Sequence, residues 1–227
     1  MSTEMKDGLG NEFTLRTKDV SVDQKNGIRQ NWHLATKYPI DHTNGGAFYT
    51  TAKSNTIAAA LTANSPIASF RFSSASLICA IRRLEISAWT LAAGFAAGIA
   101  SFDAFVARQY TSEDTGGLLS ALSANTPKLR TNMQTTQSHL RVSDTGTLTA
   151  GTRTLDAHPF ETAVAAPAPT ATNTLFFNDQ KIFNDYDHPL ILVSGEGVII
   201  QASVPATGTW AFALTAVWDE VELANFN

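Results

Sequence analysis

The chain is poor in charge, and it has a single cysteine. Only 16% of its 227 residues are Asp, Glu, Lys or Arg, against roughly 25% in ordinary soluble domains. With one cysteine, Cys79, a disulfide scaffold is excluded. Basic residues number 16 against 20 acidic ones, a net charge of −4. Phosphate neutralisation needs clustered Lys and Arg, so nucleic acid is not an expected partner. No G-x-S-x-G, G-x-x-x-x-G-K-[ST] or G-x-G-x-x-G occurs, so nucleophile-elbow and phosphate-loop chemistry lack support. The five histidines, His33, His42, His139, His158 and His188, show no H-x-H or H-x-x-x-H spacing for zinc. Met1 to Gly10 is polar with no apolar run behind it, which predicts no secretory leader. The longest uncharged stretch near the middle, residues 86–102, is short of a membrane span and diluted with Ala, Gly, Ser and Thr. Two strands joined by a small-residue loop are expected there, and no membrane partner.

What is abundant is small. Ala, Thr and Ser number 33, 28 and 17. The first 45 residues hold 12 of the 36 charges, six of each sign, without a sustained apolar period. The expected organisation is an N-terminal arm over 1–45 and a globular domain over 46–227. That domain reads as strands. Ala68, Phe70 and Phe72 alternate with Ser69, Arg71 and Ser73; Phe102, Ala104 and Val106 alternate with Asp103, Phe105 and Ala107. Between Leu77 and Trp89, Leu84, Ile86 and Ala88 share a face. Arg82 falls on that apolar face by parity, which predicts a bulge or an arginine paired across the sheet. Val198, Ile200, Ala202 and Val204, then Trp210, Phe212, Leu214, Ala216 and Trp218, flank Pro205-Ala-Thr-Gly208, the pattern of a hairpin.

Shorter strands are expected at Ala47–Thr51, Thr56–Leu61, Ser138–Val142, Thr152–His158 and Leu190–Ser194, with one short helix around Gly117 to Ala124. Ala163 to Thr174 reads as an extended low-complexity loop, a spacer or a surface packed on a partner. About ten short strands with polar or Pro/Gly breaks predict an all-β fold, an antiparallel β-sandwich of jelly-roll type.

Chemistry is sparse. Cys79 lies in an apolar strand and reads as an inert core residue. Asn178-Asp179 and Asn184-Asp185-Tyr186-Asp187-His188 offer oxygens of the kind calcium takes, and also the residues that cap turns; turn capping is the expectation. Glu161, Asp179 and Glu196 are acids without a motif. No catalytic residue, cofactor or metal is therefore expected.

Several segments, taken in order, resemble tailed-bacteriophage virion proteins. They are Arg82-Arg83-Leu84; Phe102-Asp-Ala-Phe-Val-Ala-Arg-Gln-Tyr-Thr111; Asp114-Thr-Gly-Gly117; Leu148-Thr-Ala-Gly-Thr-Arg153; and Glu196-Gly-Val-Ile-Ile200 through Val204-Pro-Ala-Thr-Gly-Thr-Trp210 to Val217-Trp-Asp-Glu-Val221. The similarity runs from about Ala47 to Val221. It implies a non-enzymatic structural part of the particle, foremost a capsid decoration or cement protein. Its expected partners are the major capsid protein and further copies of itself. A tail or baseplate component and a host-glycan-binding module are the alternatives. Trp32, Tyr38, Phe48 and Tyr49 are the expected partner contacts, because aromatic side chains dominate buried interfaces; ordinary packing on the sandwich is the competing role for all four.

Overall fold

The computed structural model describes residues 46–58, 61, 63–119, 128, 135–185 and 188–222. It also describes the backbone of 2–6, 12–16, 22–23 and 27–28. The chain divides into two units, Met1–Asp41 and His42–Asn227. In the first, β1 (Ser2–Lys6) pairs antiparallel with β2 (Glu12–Arg16), and β3 (Val22–Asp23) with β4 (Gly27–Ile28). These two small ladders lie inside the segment read as an arm.

The second unit begins with β5 (Gly46–Lys53), β6 (Ile57–Ala58), β7 (Ser65–Phe72), β8 (Leu77–Thr90) and β9 (Ala100–Arg108). Next come β10 (Leu118–Leu119), β11 (Ser138–Val142), β12 (Thr154–Leu155) and β13 (Glu161–Ala165). It closes with β14 (Leu175–Asn184), β15 (Leu190–Leu192), β16 (Glu196–Ser203) and β17 (Thr209–Glu222). All regular structure among the described residues is strand, so no described helix is long and apolar enough to cross a membrane. Residues 86–102 are the end of β8, a connection and the start of β9.

Two antiparallel sheets face each other. One runs β14-β8-β17-β5, with β15 also on β8 and β6 also on β17. The other runs β10-β11-β7-β16-β9-β12, with β13 also on β9. The expected β-sandwich is therefore present, and its inward faces follow the two-residue period of a pleated strand. Ala68, Phe70 and Phe72, Phe102, Ala104 and Val106, Val198, Ile200 and Ala202, and Trp210 through Trp218 at even numbers all join one core.

At Arg82 both halves of the expectation are met. Val217 pairs with Arg83 but Trp218 pairs with Ile81, so Arg82 is the extra residue of a bulge. The bulge switches parity along β8: Leu77, Cys79 and Ile81 face the core before it, Leu84, Ile86 and Ala88 after it. Arg82 itself bonds Asp219 of β17, Nε to Oδ2 at 2.9 Å. Burial pushes the Asp219 carboxyl above its usual range, and Arg82 opposes that.

Three expectations are corrected. Val198–Val204 and Trp210–Trp218 do not form a hairpin: β16 and β17 belong to different sheets, and Pro205–Gly208 carries the chain between them. Leu118–Leu119, read as helix, pairs with Val142 and Arg141 of β11 as strand; residues 120–127 lie outside the described set. Ala163–Ala165, read as loop, is the end of β13 on β9, and β14 was not foreseen. β14 is an edge strand interrupted by three register shifts and lined with polar residues, features that discourage edge-to-edge aggregation.

Aromatic rings organise the centre. Phe102 lies 4.8 Å from Phe177 and 5.9 Å from Trp210, centroid to centroid, joining the two sheets. Phe102→Ala is expected to lower unfolding free energy by about 3–5 kcal/mol, measured by urea denaturation. Tyr49→Ala, at an exposed position, is expected to stay within about 0.5 kcal/mol of the parent.

Candidate functional site

The four aromatics proposed as partner contacts part company. Trp32 and Tyr38 lie outside the described residues. Phe48 is spent inside its own fold, 1% exposed and stacked on Trp218 at 5.6 Å. Tyr49, its neighbour on β5, points outward and is 46% exposed. Strand alternation accounts for the split.

Two buried polar clusters stand out. The first surrounds Glu220, whose even number keeps it on the inward face of β17 beyond Trp218. Its carboxylate accepts from Thr136 Oγ1, from Ser138 Oγ at 2.8 Å, from Trp218 Nε1 at 3.2 Å, and from the Gln137 N–H at 2.9 and 3.1 Å. Ser138 begins β11 in the opposite sheet and Gln137 directly precedes it, so this acid ties the sheets together. A buried carboxylate is tolerable only with its lone pairs satisfied, and these four donors do that. Cys79 lies beside it, 3.9 Å from Ser138 Oγ. Burial pushes the Cys79 thiol well up, and the Glu220 and Asp219 charges add to that against the Ser138 hydrogen bond. A thiol held protonated and fully buried is a core residue and not a nucleophile.

The second cluster covers the outward face of the other sheet. Chain following β9 folds back so that Tyr110 lies against Gly197 on β16, whose added Cβ would stand 2.9 Å from the Tyr110 ring and 2.1 Å from Phe70 O. Only glycine leaves that room. The Arg71 and Arg153 guanidinium carbons sit 5.9 and 5.4 Å from the ring centroid, within cation–π range. Arg153 pairs with the buried Asp114, which also accepts from the Gly151 N–H at 2.8 Å. Glu113 faces Arg71 at 3.4 Å and His139 at 2.8 Å. Ala107, Tyr110 and Ile199, with Leu155 against them, form a small apolar cluster below. Strand parity had left Ile199 on an outward face; this loop is what covers it.

The acids without a motif stay apart. Glu161 is exposed at the start of β13. Asp179 accepts from Ser87 Oγ at 2.7 Å on the edge of β8. Glu196 pairs with Arg108 and accepts from the Val193 N–H. In the Asp/Asn cluster, Asn178, Asp179 and Asn184 lie in strand β14 and not in a turn as expected; Asp185 accepts from the His188 N–H at 2.7 Å, while Tyr186 and Asp187 lie outside the described residues. Among the described residues no group of three His, Cys, Asp or Glu side chains converges as a metal site would require. The gap between the sheets lined by Phe70, Leu84, Val198 and Leu214 has no room for a water molecule.

This arrangement is structural bracing: carboxylates hold backbone and arginines, and Glu220 and Asp114 are buried in doing so. No family model matches the chain, and no curated protein or solved structure matches it either.

Glu220→Gln replaces an acceptor with an amide facing four donors and is expected to cost about 2–4 kcal/mol in chemical denaturation. Tyr110 gives a pH prediction. Burial pushes its phenol up to about 12 from 10.0. Between those values the folded state keeps a proton that the unfolded state has lost, so stability falls as pH rises from 10 to 12. Tyr110→Phe is expected to flatten that decline, read as melting temperature against pH.

Proposed function

We propose that the chain is a non-enzymatic structural component of a tailed-phage virion, a decoration or cement protein on the head surface whose partner is the major capsid protein. The observation that carries this reading is the ordered set of segments resembling phage virion proteins. Their places in the fold support it, because each segment is a joint. Arg82-Arg83-Leu84 is the bulge of β8. Phe102–Thr111 is β9 with the Tyr110 turn. Asp114-Thr-Gly-Gly117 and Leu148–Arg153 meet through paired hydrogen bonds between Thr115 and Thr149 and the Arg153–Asp114 ion pair. Glu196–Val221 is β16, the crossover and β17. Such segments preserve a shape and not a reaction centre.

The winding supports the same reading. β5 pairs with β17, β7 with β16, β8 with β14 and β9 with β13. These pairs nest from the outermost to the innermost, as in one long hairpin rolled into two sheets, which is the jelly-roll plan common in capsid proteins. β10 to β12 are then an insertion between the innermost pair.

The test is antibody labelling of intact particles, viewed by electron microscopy. Labels distributed over heads are the expected result. Labels confined to the tail, or absent from particles, would overturn the assignment.

A further inference from the structure

Five buried side-chain nitrogen or oxygen atoms among the described residues have no hydrogen-bond partner in the protein, and three belong to one cluster: Tyr110 Oη, Asp114 Oδ2 and Arg153 Nε. The other two, Arg83 Nε and Trp210 Nε1, stand singly on β8 and β17. Tyr110 and Asp114 are fully buried, and the Arg153 side chain is 5% exposed. Buried polar groups are almost always paired, and one left alone is costly. Three together therefore point to a ligand.

Two stretches of chain enclose the cluster. The Thr111 N–H donates to Thr152 O at 3.0 Å, and the Thr152 N–H to Ser112 Oγ at 2.8 Å. Thr115 and Thr149 exchange backbone bonds at 2.9 and 2.8 Å. A Cβ on Gly151 would stand 2.1 Å from Ser112 O, so the two backbones touch there. Asp114 spends only Oδ1 on the protein, accepting from the Gly151 N–H and from Arg153 Nη1. The Arg153 guanidinium carbon is 5.4 Å from the Tyr110 ring centroid, and the Asp114 and Arg153 charges both act on the Tyr110 hydroxyl. The three groups are neighbours, yet the hydroxyl has no partner in the protein.

We propose that this cluster binds one internal water molecule, which bridges Tyr110 Oη and Asp114 Oδ2. Charge and donor count select it. Asp114 and Arg153 neutralise each other, so a cation would face the guanidinium and an anion the carboxylate, with no counter-charge to spare. A neutral occupant remains. It must give a hydrogen to Oδ2 and accept one from the hydroxyl, and water does both; its second lone pair is then open to the Arg153 Nε–H. Internal waters typically make about three such bonds. The bridge joins three of the segments described above, Phe102–Thr111, Asp114–Gly117 and Leu148–Arg153, at a single point. It is independent of the virion assignment, since it belongs to the free protein.

A high-resolution crystal structure of the full chain tests it. A water peak within about 3.2 Å of both Tyr110 Oη and Asp114 Oδ2 is expected. Tyr110→Phe removes one partner of that water and keeps the ring. In this variant the peak is expected to weaken or vanish while Asp114 and Arg153 keep their places. Three results would overturn the proposal: a Tyr110 hydroxyl in direct contact with the carboxylate at under about 3.0 Å, no peak against both atoms, or a peak of undiminished height in Tyr110→Phe.

Discussion

The ladder between β8 and β17 is the constraint on which the rest of the domain depends. Both strands run from Leu77 to Thr90 and from Thr209 to Glu222, and they pair along almost their whole length. A continuous ladder of that length would force one half of β8 to turn its apolar side chains outward, since Leu77, Cys79 and Ile81 are odd while Leu84, Ile86 and Ala88 are even. The bulge at Arg82 resolves the conflict. It also leaves an arginine to be neutralised, and Asp219 on the facing strand does so. Beyond the bulge the same β17 face brings Trp218 onto Phe48 and Phe70 and delivers Glu220 to the opposite sheet. One inserted residue thus sets the core packing of one sheet and the polar tie to the other.

Strand faces were legible in the sequence because period two is a local property. Ala68-Phe70-Phe72 and Trp210 through Trp218 needed no tertiary information. Sheet membership is not local. The Pro205–Gly208 turn residues suit a hairpin and a crossover equally, and only the partners of β16 and β17 distinguish them. β14 escaped notice because its bulges and its run Asn178-Asp179-Gln180-Lys181 break the alternation that marks a strand. Ile199 looked solvent-facing because the loop carrying Tyr110, which covers it, is far away in sequence. Glu220 did carry a readable signal, for it continues the even-numbered inward face of β17; a polar residue there announces a buried partner set, though not which one. The Arg82 bulge was readable for the same reason: a charge on an apolar face demands either displacement or pairing, and here it receives both.

The polar chemistry of the domain is directed inward and sideways. Glu220 secures sheet to sheet, and Asp114 and Arg153 secure loop to loop around Tyr110. Weakly charged surfaces and rigid Ala/Pro/Thr connections are left facing out. Such a distribution suits a protein whose work is to fit against neighbours, which is the physical content of the proposed virion role.

Copy number tests that role most directly. Quantitative mass spectrometry of purified particles, with isotope-labelled standards for this chain and for the major capsid protein, reports their ratio. A head decoration protein is expected in a fixed ratio set by the capsid lattice, with many copies per particle. A handful of copies per particle, or none, would contradict it.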